Sequence, residues 1–407
     1  MKLLPPQVNM LHRAAAKTPA LPTVDNCCCP TSNVTVMSVD PETSVHFMVD
    51  CPRFQFYYTV QRSQLSALYI TTRPSYSGTA VKMMSATGNI RLLRTPGHHG
   101  YSVKFSPFSP SLIAVATGQN FGLSGGGSLL VMDLGLPGNG QVCCCQWQDG
   151  LFDLTWSEQN PKCVVSAAGD GSLQMWNTSQ PQVPLRVYKE HTREAASVHW
   201  SQTRDEHLFV SASWDSTIRL WDPNHQSSLV TLAGHEGLVY QAAWSPHLPG
   251  CVASASGDGT LRIWNVRRPQ AGPSMVVQAC TAGEVLSCDW SKYNQNLIVT
   301  SGTNCNICGW DLRQPALPVF VLQGHQYPAR QVKCSPFQET QLASVSYDFT
   351  TRFWDHSQPS PCLLMMEKHT EFVYGLDLSN HNENMLADCA WDQSVGVYNL
   401  GKLTPSP

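Results

Sequence analysis

The chain has 407 residues, of which 42% are hydrophobic and 14% charged, and its formal net charge is -3. The near-neutral balance, with no long basic run, excludes a protein that binds mainly to nucleic-acid phosphates. No stretch reaches the roughly 18 apolar residues of a membrane-spanning helix. The start, MKLLPPQVNMLHRAAAK, lacks the apolar core of a secretory signal. We therefore expect a soluble intracellular protein.

Residues 1–83 show no periodicity and are frequent in Pro, Thr and Ser. A few strands are possible around residues 45–58, but the segment shows no coherent core. We interpret it as an N-terminal extension that is disordered or an artefact of gene prediction. The natural start is then expected close to Met84.

From His98 onward, a unit of about 44 residues repeats seven times. The first unit is degenerate and ends at Leu134. Each unit contains short runs of β-branched and aromatic residues, which predict strands. The later six units close on an aromatic residue after a tight turn, in the segments GDGSLQMWN, WDSTIRLWD, GDGTLRIWN, TNCNICGWD, YDFTTRFWD and WDQSVGVYN.

This period and its GH…WD punctuation resemble the WD-repeat family, which implies an all-β, seven-bladed WD-repeat β-propeller. The last unit supplies three strands and only GKLTPSP follows it. Residues 89–93 (NIRLL) are the candidate for the missing outer strand, so an N-terminal strand is expected to close the ring. We assign residues 84–407 to this propeller domain.

Histidines before the inner strands and aspartates in the turns recur at matching positions. The resemblance implies that each pair is hydrogen-bonded within a blade and linked to a strand Ser or Thr and the Trp indole. A catalytic interpretation is disfavoured, because no activated Ser or Cys accompanies the pairs. In the fifth unit Thr281 and Asn304 replace both partners together. The expected pairs are His191 with Asp215, His235 with Asp258, His325 with Asp348 and His369 with Asp392.

Most of the 16 cysteines lie singly in apolar runs, for example Cys163, Cys251 and Cys288, and predict buried reduced thiols. The triplets 27–29 and 143–145 are poor metal sites, because neighbours in a strand point to opposite faces. One C-x-x-C spacing occurs, from Cys305 to Cys308, but no second pair with zinc-ligand spacing accompanies it, so we expect neither metal nor cofactor. The glycine run 121–127 (FGLSGGG) lacks the GK[ST] of a phosphate loop and predicts a flexible turn.

Longer segments carry a more specific resemblance, from about Leu92 to the carboxyl end. They include DGLFDLTWSE, YKEHTREAASVHWSQTR, EVLSCDWSKYNQNL and KCSPFQETQLASVSYDFTTRFW. These resemble the peroxin family that serves as receptor for the type-2 peroxisomal targeting signal. The resemblance implies a non-enzymatic import receptor that binds cargo enzymes in the cytosol through an N-terminal signal, R/K-L/V/I-x5-H/Q-L/A. With a co-receptor it would carry them to docking proteins at the peroxisome membrane and into the matrix import pathway.

A short amphipathic signal helix needs an apolar groove for its leucines and carboxylates for its basic end. We expect this groove on the face that carries the His loops and Asp turns. Some candidates are aromatic residues beside the turn aspartates. Others are aromatic or apolar residues that share one register of the inner strands, and three carboxylates lie nearby. The candidates are Phe152, Asp153, Glu194, Trp214, Tyr240, Glu284, Leu286, Tyr347, Tyr374 and Trp391.

Two other functions are alternatives to an import receptor. The motif WDLR, from Trp310 to Arg313, resembles the WDxR box of substrate adaptors of cullin-RING ubiquitin ligases. The second alternative function is an enzyme with its active site in the central channel, but the sequence offers no nucleophile, metal cluster or carboxylate pair to support it. The receptor function is favoured, with the ligase adaptor as the alternative.

Overall fold

A computed structural model describes residues 89–401, except 204–205, together with the strand backbones of residues 33–39, 44–51, 54–61, 84–86 and 403–405. The chain divides into two compact units, residues 1–69 and 70–407. Among the described residues, no helix is long and apolar enough to span a membrane.

The first unit contains one antiparallel sheet in the order β1-β2-β3, formed by Asn33–Val39, Ser44–Cys51 and Phe54–Gln61. The last two strands lie where the sequence allowed strands, at residues 45–58. The remaining predictions for residues 1–83, including the triplet at 27–29 and the proposed extension, fall largely outside the described residues and stay predictions.

The second unit consists of seven four-stranded antiparallel sheets arranged as propeller blades. The innermost strands are β6 (His99–Phe105), β10 (Leu151–Trp156), β14 (Ala195–Trp200), β18 (Val239–Trp244), β22 (Val285–Trp290), β26 (Ala329–Cys334) and β30 (Val373–Leu378). The second strands are β7 (Leu112–Gly118), β11 (Cys163–Ala168), β15 (Phe209–Ser213), β19 (Cys251–Ser256), β23 (Leu297–Gly302), β27 (Gln341–Ser346) and β31 (Met385–Ala390).

The third strands are β8 (Gly127–Asp133), β12 (Ser172–Asn177), β16 (Thr217–Trp221), β20 (Thr260–Asn265), β24 (Ile307–Asp311), β28 (Thr351–Asp355) and β32 (Ser394–Asn399). The outer strands of the first six blades are β9 (Gln141–Trp147), β13 (Arg186–Lys189), β17 (Val230–Ala233), β21 (Met275–Gln278), β25 (Phe320–Leu322) and β29 (Cys362–Met366). Short 3-10 turns cover Asn120–Gly122 and Pro269–Ala271.

The seventh blade takes its outer strand, β5 (Ile90–Arg94), from the N-terminal side of the propeller. This strand pairs with β32 in antiparallel register, which confirms the predicted closure. The guanidinium of Arg91 donates to the carbonyls of Leu136 and Gly138 in the first blade, both at 2.6 Å. Beyond the blade, β4 (Met84–Ala86) pairs with β33 (Leu403–Pro405).

Hydrogen-bonded side chains hold the individual blades, as predicted. The Nδ1 atoms of four histidines lie 2.7–3.0 Å from their turn aspartates: His191 and Asp215, His235 and Asp258, His325 and Asp348, His369 and Asp392. In blade 4, for example, Nε2 of His235 lies 2.6 Å from Ser254 Oγ, which also accepts from the Trp264 indole at 2.8 Å. Because these groups are buried, losing one partner costs about 1–3 kcal/mol.

Blade 7 departs from this pattern, because Asp388 stands where blades 3, 4 and 6 have serine. Nε2 of His369 lies 2.8 Å from Asp388 Oδ1, while Nδ1 contacts Asp392. Burial alone would lower the pKa of His369, but Asp388 and then Asp392 raise it to about 10. This histidine is therefore a buried cation held between two carboxylates.

Apolar side chains pack between neighbouring blades, and the closing tryptophans Trp176, Trp221, Trp264 and Trp354 are fully buried there. The cysteines of the described residues are free thiols. Cys163 and Cys288 are buried as predicted, Cys251 is half-buried, and Cys143 and Cys145 of the second triplet are both buried.

Candidate functional site at the upper mouth of the channel

The seven inner strands share a local irregularity that shapes the central channel. In each strand the pairing register shifts by one residue, which leaves a bulged residue without an opposite partner. A bulge redirects side chains, so the bulged residue and its successor can face the same side. In line with this, both Phe152 and Asp153 border one cavity in the channel.

The bulged residues form the upper layer of the channel, on the face with the His loops and Asp turns: Tyr101, Phe152, Ala196, Tyr240, Leu286, Arg330 and Tyr374. Their successors form the middle layer: Ser102, Asp153, Ser197, Gln241, Ser287, Gln331 and Gly375. Two residues further along lies the lower layer: Lys104, Thr155, His199, Ala243, Asp289, Lys333 and Asp377.

The middle layer joins the blades to one another. In five blades its side chain accepts a hydrogen bond from a backbone N–H of the next blade, as Gln331 Oε1 does from Leu376 at 2.8 Å. Asp153 accepts from the Val198 N–H at 3.0 Å and from the Ser102 hydroxyl at 2.7 Å. The structure therefore gives Asp153, a predicted site residue, an inter-blade bonding role that the sequence did not suggest.

Above this layer, aromatic side chains from several blades form one cluster around Tyr101. The Tyr101 ring centroid lies 5.0 Å from that of Phe152, 4.9 Å from that of Tyr374 and 5.8 Å from that of Trp391. Tyr374 stacks on Trp391 at 5.7 Å. The cluster extends through Phe152 to Trp214 at 6.2 Å, and through Tyr374 to Tyr347 at 6.0 Å. Five predicted residues are thus brought together.

The glycine-rich turn of blade 1 covers part of this cluster. Phe121 stacks on His99 at 3.9 Å and lies 5.6 Å from Trp391, and its carbonyl accepts from the Tyr101 hydroxyl at 2.5 Å. Phe121 has φ 57°, a conformation that few residues other than glycine adopt. At Gly122 a Cβ would collide with the Tyr101 hydroxyl, so only glycine lets the turn lie against the ring.

The charged groups of the upper layer lie around the aromatic cluster. Glu284 accepts a hydrogen bond from the Tyr240 hydroxyl at 2.9 Å. Burial, followed by Glu284, raises the pKa of Tyr240 well above its usual value. The Glu194 side chain is about one-third exposed and lies 3.6 Å from Arg193.

Arg330 is a cation that the sequence did not single out. Its guanidinium lies 4.2 Å from the Tyr374 ring centre, and Nη1 donates to the Leu286 carbonyl at 3.3 Å. The Leu286 side chain, a predicted site residue, is only 5% exposed. Arg330 shares the register of Tyr240 and Tyr374, so the spacing that found those tyrosines also contains it.

Arg313, the last residue of the alternative WDLR motif, lies in the exposed turn after β24. It is bound to Asp311 two residues earlier, with Nη2 donating to Oδ2 at 2.6 Å. No group of three His, Cys, Asp or Glu side chains in the described part of the chain is arranged to hold a metal ion.

Comparison with known proteins resolves the family. A profile described as "WD domain, G-beta repeat" matches residues 182–222, 226–265 and 317–355. The mouse protein named "Peroxisomal targeting signal 2 receptor" is 52% identical over 77% of this chain and 98% of its own length. The chain belongs to the peroxisomal targeting signal 2 receptor family.

More distant members of this receptor family extend the comparison. The Saccharomyces cerevisiae receptor of the same name is 30% identical over 74% of this chain and 97% of its own length. The Arabidopsis thaliana "Peroxisome biogenesis protein 7" is 41% identical over 74% of this chain and 96% of its own length. The mouse and Saccharomyces cerevisiae relatives are named as receptors, so the family has a role in peroxisomal targeting.

Proposed function

We propose that the protein binds enzymes carrying an N-terminal type-2 peroxisomal targeting signal and, with a co-receptor and docking proteins, delivers them to the peroxisome matrix. It cycles between the cytosol and the peroxisome, where it is membrane-associated or in the matrix. The propeller, residues 84–407, carries the binding function. The name "Peroxisomal targeting signal 2 receptor", which the mouse and human relatives share, supports this proposal.

The half-buried aromatic cluster at the upper mouth is the observation that carries the proposal for the site. In the signal pattern R/K-L/V/I-x5-H/Q-L/A, the two apolar positions lie two helical turns apart and therefore share one face of a helix. Such a face is recognised by apolar grooves in other helix-binding proteins. Tyr374, Trp391 and Phe152 form a contiguous apolar surface of this kind.

Charge then orients the bound helix. Arg330 lies in the channel beside Tyr374 and repels the basic first residue of the signal. Glu194, on blade 3, is the partly exposed carboxylate that receives this residue. Glu284 is already bonded to Tyr240 and contributes negative potential to the same rim. Pairing of Arg with a carboxylate adds direction as well as energy.

The function is tested by fluorescence anisotropy with a labelled signal peptide and the full chain, with and without purified co-receptor. The matched control peptide carries Ala in place of the first Arg and Ser in place of the last Leu. We expect saturable binding of the signal peptide and at least about tenfold weaker binding of the control. Equal binding of both peptides under both conditions contradicts the proposal.

A further inference from the structure

A second cavity opens at the lower mouth of the channel, on the face opposite the aromatic cluster. It is bordered by the last residues of the inner strands and by the loops that follow them. Four basic side chains and three carboxylates line it: Lys104, Lys292, Lys333 and His199, with Asp289, Asp377 and Glu158.

Most side chains of the lower layer have a structural role that two lysines cannot perform. In four blades the side chain accepts a hydrogen bond from a backbone N–H of the next blade: Thr155 from Trp200, His199 from Trp244, Asp289 from Cys334 and Asp377 from Phe105. A lysine ammonium has no acceptor and cannot replace these groups. The side chains of Lys104 and Lys333 therefore occupy inter-blade positions without accepting such a bond.

These two lysines also lack a direct ion pair with the nearby aspartates. Lys292 binds Asp289 at 3.1 Å, but within the described residues no ion pair of up to 4.0 Å joins Lys104 or Lys333 to Asp289 or Asp377. Burial, followed by the like charge of Lys333, lowers the pKa of Lys104. The two ammonium groups repel each other. Burial lowers the pKa of Lys333, but Asp289 and then Asp377 raise it above its usual value, so the aspartates offset part of this repulsion. An anion that hydrogen-bonds to both ammonium groups reduces it further.

The ring of His199 provides a further donor. Its Nδ1 accepts the Trp244 N–H at 3.0 Å, so the neutral ring carries its proton on Nε2. Burial, followed by Lys333 and the other lysines, lowers the pKa of His199 well below its usual value, which keeps the ring neutral. The cavity thus combines two ammonium groups with one imidazole N–H.

We propose that the lower mouth binds the carboxylate of an aspartate or glutamate side chain presented by a partner peptide. Lys104, Lys333 and the Nε2–H of His199 donate to this carboxylate. Lys292 remains bound to Asp289. The site is independent of the signal-binding site, since it lies at the other end of the channel.

A single carboxylate on a peptide fits better than a phosphate. Asp289, Asp377 and Glu158 lie around the same cavity, and each further negative charge on the ligand would be repelled by them. The strand-end loops of this face also expose large apolar side chains, Phe108 at 39% and Leu248 at 40%. Apolar residues that flank the acidic side chain of a peptide can pack on such groups.

The proposal is tested by calorimetric titration of the full chain with acetyl-Leu-Glu-Leu-amide and its neutral counterpart acetyl-Leu-Gln-Leu-amide. We expect the Glu peptide to bind about tenfold more tightly, because its hydrogen bonds are charge-assisted. The variant K104M/K333M is expected to abolish this difference, while K162M/K368M, at exposed lysines, retains it. Equal affinity of the two peptides overturns the proposal, as does a difference that persists in K104M/K333M. Displacement of the Glu peptide by equimolar inorganic phosphate also contradicts the assignment of a carboxylate.

A second measurement needs no variant and therefore does not depend on the folding of K104M/K333M. A water-soluble carbodiimide joins the peptide carboxylate to a lysine amine as an amide, with loss of one water. Peptide mapping by mass spectrometry is expected to find the Glu peptide on Lys104 or Lys333 in preference to exposed Lys162 and Lys368. Coupling only at exposed lysines contradicts the proposal.

Discussion

The two mouths of the channel are built from the same seven strands and differ in chemistry. At the upper mouth the bulged residues are mostly large and aromatic, and they meet in a cluster around Tyr101. At the lower mouth, three residues further along each strand, five of the seven positions hold a lysine, an aspartate or a histidine. The middle layer between them joins one blade to the next through backbone hydrogen bonds. The difference teaches that a propeller can present different side-chain chemistry at its two mouths within four consecutive residues of each inner strand.

The largest effect on signal binding is expected for Trp391→Ala, which removes the ring stacked on Tyr374 and in contact with Phe121. Buried aromatic residues at binding sites often contribute 2 kcal/mol or more, so we expect about 30-fold weaker binding by anisotropy. Trp391→Phe retains an aromatic ring and is expected to lose less. Lys333→Met, at the lower mouth, is the matched control and should bind the signal normally. A comparable loss in Lys333→Met would show that the two mouths are not separate.

A smaller effect is expected for Glu194→Lys, which reverses a charge at the partly exposed upper rim. We expect about fivefold weaker signal binding at low salt and a smaller loss at high salt, because exposed charges are screened. Glu194→Gln should show about half of this effect in free-energy terms. Thermal unfolding should be nearly unchanged in both variants, and a large decrease in melting temperature would assign Glu194 to the structure instead of the site.

Asp153→Ala tests the middle layer. Its carboxylate binds the Ser102 hydroxyl and the Val198 N–H, so its removal leaves two buried donors without an acceptor. We expect a loss of about 2 kcal/mol in unfolding free energy, measured in urea, with signal affinity of the folded fraction unchanged. Reduced affinity without reduced stability would instead support a direct contact of Asp153 with the signal.

The smallest effect on binding is expected for Asp388→Ser, which gives blade 7 the serine found in blades 3, 4 and 6. The folded pKa of His369, about 10, lies above that of an unfolded histidine, near 6.5. The stabilisation of the folded protein by protonated His369 is thus present below about pH 6.5 and is lost as the pH rises towards 10.

Urea unfolding at pH 6.5 and pH 9.5 measures this loss. Buried cysteines with raised pKa values, such as Cys163, add a similar loss in wild type and variant alike. The wild type should therefore lose more stability than Asp388→Ser over this range. An equal loss in both proteins would contradict the assignment to His369.

The repeat period predicted the propeller, its closing strand and the four His–Asp pairs, because each depends on local spacing that recurs in every blade. It also placed Phe152, Tyr240, Leu286 and Tyr374 in one register. The bulges could not be predicted, since an extra residue in a strand leaves no mark in the sequence. Strict alternation places Asp153 on the face opposite Phe152, which concealed its inter-blade bonds.

Other parts of the site could not be predicted, because they depend on contacts between residues that are far apart in the sequence. Tyr101 lies in the degenerate first unit, where the punctuation that aligns the other units is missing. Phe121 reaches the cluster only because its turn folds back over Tyr101. Arg330 shares the register of Tyr240 and Tyr374, but an apolar groove predicts aromatic side chains at these positions and not a cation.

The central claim, that the upper mouth binds the signal, is tested most directly by photo-crosslinking. A signal peptide with a photoreactive phenylalanine at its second position is bound to the full chain and irradiated, and the attachment site is mapped by mass spectrometry. The account predicts attachment to residues of the aromatic cluster, such as Phe152, Tyr374 or Trp391. Attachment confined to the lower mouth, or to the outer edges of the blades, would contradict it.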